Sequence, residues 1–204
     1  MSKVYLSIDL DFWAHSQRQH CNAFFEKVFA LRLPIFAVCE HHHLLPTMAG
    51  CFDVLYNVDW HSDLCDPPEE GWIKSQLNEG TWGNYVPWRK QGTFIWRYPR
   101  PCCLHIGTGY CHSDVNPFEK PVSGWKHTQK HQGTAGIPWD DIKAVGVCLS
   151  PAWIGREAII HEPIVRLGMQ DWLDLDGFDL IPPLVRTIPP PVEKRTNYSL
   201  ANLR

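Results

Sequence analysis

Apolar positions along this chain gather into short unbroken runs, several of which end at acids or histidines. Val4 to Ile8, Ile35 to Cys39, Phe52 to Val58, Thr93 to Tyr98 and Ala144 to Leu149 are such runs. Continuous rather than alternating hydrophobicity suits strands covered on both faces, as in a parallel sheet. Between the first two runs, Cys21, Phe24, Phe25, Val28, Phe29 and Leu31 recur close to the helical period and predict a helix from Gln17 to Leu33, stopped by Pro34. Leu44 to Cys51 reads as a short helix after Pro46, and Gly155 to Leu167 as a helix that Pro163 kinks or shortens. Strands alternating with helices predict a three-layer α/β/α domain around a mainly parallel sheet.

Elsewhere the periodicity lapses. Pro67-Pro68-Glu69-Glu70-Gly71 is a turn or loop, followed by an irregular Trp-rich segment from Trp72 to Trp88. Pro99 to Pro138 reads as a long excursion with room for short strands, and loops of that length in compact domains are commonly functional or mobile. From Asp171 the chain is acidic, then Pro-rich through Pro182-Pro183 and Pro189-Pro190-Pro191. The expected division is one domain over 1–170 and an extension over 171–204 that packs on it or is partly disordered.

Composition adds exclusions. The 204 residues suffice for a substantial core, and a net charge of −3 gives no basic excess to attract nucleic acid. No apolar run approaches a membrane span and no signal peptide is evident, so a cytoplasmic location is expected, with no membrane partner. The eight Cys form no C-x-x-C pair and mostly flank apolar runs, which favours buried thiols over disulfides or a zinc ribbon. Cys111-His112 lacks partners at finger-like spacing.

The chemistry sits at the strand ends. Asp59-Trp-His61-Ser-Asp63 follows the Phe52–Val58 run, and if it continues the strand, period two points its three ligand-type side chains one way. Asp9-Leu-Asp11 ends the first run, and Glu40-His41-His42-His43 ends the second. Four carboxylates in one cleft are untenable without cations, because repulsion and desolvation would force protonation. Two divalent ions would balance them, and a two-metal centre makes hydroxide at neutral pH. Mixed carboxylate and imidazole ligands suit manganese, with zinc or iron as alternatives.

These residues carry a resemblance. Asp59-x-His61-x-Asp63 together with Asp9-x-Asp11 is similar to the ligand set of the arginase/ureohydrolase superfamily. Ala37-Val-Cys-Glu40-His41-His-His-Leu-Leu-Pro46, the Asp59 motif and the Trp82 segment more closely resemble the small arginase-like family that contains peptide arginases. The similarity spans roughly positions 4 to 98, with a weaker echo over Val145 to Pro151. It implies an arginase/deacetylase-like fold and hydrolysis of arginine side chains in a peptide to ornithine and urea. It implies one Mn2+ on His41, Asp59, Asp63 and Asp9, and a second on Asp59, His61, Asp9 and Asp11, with Asp59 and Asp9 bridging. The order departs from the family, since Asp9-x-Asp11 comes first, as in a circular permutation that preserves the sheet.

Guanidino hydrolysis also needs an anion for the substrate and a proton for the leaving amine. Glu40 is the candidate anion, or else orients a histidine. His43, His105 and His112 are candidate shuttles, a part that asks for a near-neutral pKa. Asn78, Glu79, Trp82 and Asn84 are candidate substrate contacts, or else capping and packing residues. The alternatives are hydrolysis of a free small molecule such as arginine, agmatine or an acylated amine, and a non-catalytic metal-binding module. Oligomeric state stays open.

Overall fold

The computed structural model describes residues 3–14, 18–48, 52–64, 77, 80–88, 92–99, 125–154, 161–175 and 184–190. Its centre is a seven-stranded sheet of β1 (Val4–Asp9), β2 (Ile35–Val38), β3 (Val54–Val58), β4 (Gly92–Tyr98), β5 (Trp125–Gln132), β6 (Ile142–Cys148) and β7 (Val185–Ile188), in the order β5-β4-β3-β1-β6-β2-β7. Every neighbouring pair is parallel except β2 with β7, so this is an α/β fold on a mostly parallel sheet. Each of the five predicted strands is present, displaced at most two residues at an end.

The two strands that hydrophobicity did not announce are the two edges. In β5, Trp-Lys-His-Thr-Gln-Lys-His-Gln pairs only with β4, and its Gln129, His131 and Gln132 are exposed. In β7, exposed Val185 and Thr187 alternate with half-buried Arg186 and Ile188. An edge strand needs no continuous apolar run, so neither resembles the central strands in sequence. β5 lies within the predicted excursion, and β7 within the predicted extension.

Alternation along the strands builds two cores. Val4, Leu6 and Ile8 of β1 face one side, joining Val145 and Val147 of β6 and the Phe24, Phe25 and Val28 stripe of α1 (Arg18–Ala30). Tyr5 faces the other, with Leu55, Phe94 and Trp96, under Leu44, Met48 and Trp82. That second side is covered by 3-10 segments, His41–Met48 and Trp82–Tyr85, rather than by regular α-helix among the described residues. The helix expected over Leu44 to Cys51 is therefore the 3-10 run, begun earlier at His41 with Pro46 inside it.

β6 leads into the short α2 (Pro151–Ile154), and α3 (His161–Arg166) follows. Pro163 lies within α3, and residues 155–160 of the helix expected over Gly155 to Leu167 lie outside the described residues. Among the described residues no helix is long and apolar enough to cross a membrane.

Candidate metal centre

Four neighbouring strands, β3-β1-β6-β2, end on the same edge of the sheet and deliver the polar residues there, where open α/β sheets place their ligands. Ile8 of β1 pairs with Val58 of β3, so Asp9 and Asp59 leave the sheet side by side. Asp59 is pinned by its own N–H donating to Arg97 O (3.0 Å) and by Trp96 Nε1 donating to its carbonyl (3.1 Å). The chain turns after Asp9 into a 3-10 segment, Leu10–Trp13, whose Asp11 N–H donates to Asp9 Oδ1 (3.1 Å). The bend after β2 brings His41 over the same edge.

The motif Asp59-x-His61-x-Asp63 does not continue its strand. β3 stops at Val58, and the chain bends until Asp63 takes a left-handed conformation (φ 56°), which Asp tolerates better than most residues. Along a straight strand, side chains two apart stand about 6.7 Å from one another. The bend instead turns Asp63 onto His41 and His61 onto Asp11. His41 Nδ1 lies 2.9 Å from Asp63 Oδ2, 3.0 Å from Asp59 Oδ2 and 3.3 Å from Asp9 Oδ2. His61 Nδ1 lies 3.0 Å from Asp11 Oδ2 and 4.0 Å from Asp59 Oδ1. Asp59 thus offers one oxygen to each group.

These separations have a coordination meaning. Metal–ligand bonds of about 2.1 Å place adjacent corners of an octahedron about 3.0 Å apart. His41 Nδ1 and Asp11 Oδ2 are buried and have no aligned hydrogen bond among the described residues, although carboxylate oxygens crowd His41 Nδ1. The donor atoms lie close enough to one another to hold a divalent ion. Asp9, His41 and Asp59 form one such set, with Asp63 against it, and Asp11, Asp59 and His61 the other.

Electrostatics agree. Burial first, then the Asp9 and Asp59 charges, pushes the Asp11 carboxyl up to about 8. Burial, Asp63 and Asp9 raise Asp59 well above the carboxylate range. Burial alone would lower His41, but the facing Asp59, Asp63 and Asp9 carboxylates hold it well above its ordinary value. Metal-free, the cluster takes up protons; a cation removes the reason to.

A surrounding shell orients the ligands. Ser7 Oγ bonds His41 Nε2 (2.6 Å), which leaves Nδ1 to face the carboxylates. Ser150 Oγ donates to Asp9 Oδ2 (2.5 Å), and Asn57 Nδ2 donates to Asp59 Oδ2 (3.2 Å). Trp82 Nε1 donates to Asp63 Oδ2, and its ring lies 4.4 Å from that of His41. Ser150, like Asp63, has a left-handed backbone (φ 48°), a costly conformation held where the chain meets Asp9.

All six ligand residues expected from the sequence meet here. Asp9 Oδ2 faces His41 and its Oδ1 takes the Asp11 N–H, while Asp59 faces both His41 and His61. Glu40, His42 and His43 make a separate group, because the segment is a 3-10 turn and not a strand of alternating directions. Burial and then His42 lower His43 to about 4. Trp82 is fully buried, bonded to Asp63 and with its ring beside that of His41. Asn78, Glu79, His105 and His112 lie outside the described residues, as does the side chain of Asn84.

Sequence reasoning passed over Ser7, Asn57 and Ser150. Ser7 and Asn57 sit two residues before Asp9 and Asp59, so period two extended backward along each strand would have found them. Ser150 ends the run of β6 in the weaker echo. No protein-family model matches the chain, and no curated protein or solved structure matches it.

Proposed function

We propose that this chain is a dinuclear manganese hydrolase that cleaves the guanidino group of arginine, above all of arginine residues in a peptide, leaving ornithine and releasing urea. The observation that carries the two-metal part is Asp59, whose Oδ2 faces His41 and whose Oδ1 faces His61. One carboxylate shared between two ligand sets is how paired ions are held a few ångströms apart. Near-octahedral spacing and mostly oxygen donors favour manganese over zinc.

The guanidino part rests on the resemblance of the Asp59, Asp9 and Glu40-His41 motifs to peptide arginases. That resemblance requires the Asp9-x-Asp11 strand beside the Asp59 strand despite its early place in the chain, and β1 pairs with β3. A permuted arginase-like arrangement accounts for both the order and the adjacency.

Two bound ions would supply the Lewis acidity that makes water a nucleophile at neutral pH. The chain's own residues prepare the site. Ser7 orients the His41 ring, and Ser150 and Trp82 hold Asp9 and Asp63 in place. His61, its side chain 41% exposed, supports an approach of substrate from that side.

The test pairs metal analysis with urea release from manganese-loaded protein on free arginine, agmatine and an arginine-containing peptide. Two manganese ions lost together in Asp59→Ala, and urea from the peptide alone, bear the reading out. Urea from a free small molecule replaces the substrate, and no bound metal overturns the reading entirely.

A further inference from the structure

Beside the dinuclear cluster stands a second group of metal-type donors. Glu40 Oε2 lies 3.5 Å from His42 Nε2 and 3.8 Å from His43 Nε2, with all three donor atoms within 4.8 Å of one another. The local fold makes this grouping. With three residues per turn, positions i and i+3 of a 3-10 segment stand in one column. Glu40 and His43 occupy such positions, joined by the His43 N–H donating to Glu40 O (3.1 Å), and His42 flanks them with its ring 4.2 Å from that of His43.

We propose that Glu40, His42 and His43 form a third cation site, four-coordinate and taking zinc, with the protein filling three positions. Geometry separates it from the dinuclear cluster. Bonds of about 2.1 Å put the corners of a tetrahedron about 3.4 Å apart, against about 3.0 Å for an octahedron. The Glu40–histidine spacings, 3.5 and 3.8 Å, are wider than the 2.9 to 3.3 Å around His41. Two imidazoles and one carboxylate are also a donor set that zinc uses, and it leaves the fourth position open to water or to a donor group of another molecule.

Burial supports the assignment. The Glu40, His42 and His43 side chains are 15%, 19% and 6% exposed. The Nδ1 atoms of both histidines are buried without a hydrogen-bond partner among the described residues. Among the described residues no backbone carbonyl or carboxylate fixes either ring through that nitrogen, so an ion bound at the Nε2 side would set their orientation. The inference is independent of the reaction at the dinuclear cluster.

The full chain, stripped with chelator, would be titrated with Zn2+ and separately with Co2+, reading bound metal by elemental analysis and cobalt geometry by visible absorption. Wild type is expected to take up three equivalents. Asp59→Asn is expected to keep one, with the intense d–d bands of four-coordinate cobalt. Glu40→Gln and His43→Gln are each expected to lose that equivalent and keep the other two, with unchanged circular dichroism. Wild type that saturates at two equivalents overturns the proposal. So does a third ion that survives both Glu40→Gln and His43→Gln, or one whose cobalt spectrum is six-coordinate.

Discussion

Removing the cations should reverse the pH dependence of stability. In the metal-free protein the Asp11 carboxyl is raised from 3.8 to about 8, first by burial and then by Asp9 and Asp59. Between about pH 5 and about pH 8 the unfolded chain has already released this proton, whereas the folded protein still holds it. The native state binds more protons, so stability falls as pH rises, by about 1.4 kcal/mol per pH unit per proton. Over that window Asp11 contributes a loss of about 4 kcal/mol, an order-of-magnitude figure. His61, raised to about 10 by the facing Asp11 against the opposing effect of burial, acts in the same direction: its stabilisation is complete below its ordinary value and is lost as pH rises. Asp11 and His61 each shift the other's titration, so only Asp11 is counted. For a chain of this length about 4 kcal/mol corresponds to a fall in Tm of about 10 °C. Loaded with Mn2+ the sign changes, because ligands bind metal only when deprotonated and the stabilisation grows with pH. Thermal melts by circular dichroism, with chelator and with Mn2+, measure both slopes. A chelated protein whose Tm stays flat or climbs across the window would refute the argument that these acids are confined together and unbalanced.

Asp59→Ala is expected to lose both ions of the dinuclear cluster and all turnover, since Asp59 faces both His41 and His61; a variant still holding two ions at that cluster removes the bridging role. Ser150→Ala deprives Asp9 Oδ2 of its donor and should weaken metal binding about 10–100-fold with an unchanged far-ultraviolet spectrum, read by competition with a chromophoric chelator. Gly146→Ala in β6 would put a Cβ 2.6 Å from Tyr5 Oη and 2.7 Å from Leu44 Cδ1, at a cost of about 1–3 kcal/mol by denaturant unfolding.

How far the site could be read depended on where its residues lie. Asp9, Asp11, Asp59, His61 and Asp63 were legible because each follows directly on a buried strand, and polar residues in that place are anomalous unless they do something. The direction of their side chains was not legible. Strand periodicity predicts a common face for Asp59, His61 and Asp63, but the left-handed turn at Asp63 sends it to His41 and leaves His61 with Asp11. The same limit applies to the histidine triplet. A strand would have alternated those side chains, whereas the 3-10 turn gives His41 to the carboxylates and His42 and His43 to Glu40. Backbone conformation over two or three residues decides such pairings, and Asp, His and Glu have no strong preference that writes it into composition.

By itself the sequence determined the central strands, the long helix and the ligand inventory, because continuous apolar runs have few ways to be buried and acids at their ends have few reasons to be there. It did not determine the edges of the sheet. β5 and β7 are held by backbone pairing to one neighbour, which leaves little trace in side-chain pattern. Nor did it determine the strand order. Only the tertiary structure places β1 between β3 and β6 and so brings Asp9 and Asp11 to Asp59, some fifty residues apart in the chain. That adjacency joins separate acidic motifs into one cluster, since the balance between repulsion and cation binding exists only once the carboxylates share a buried volume.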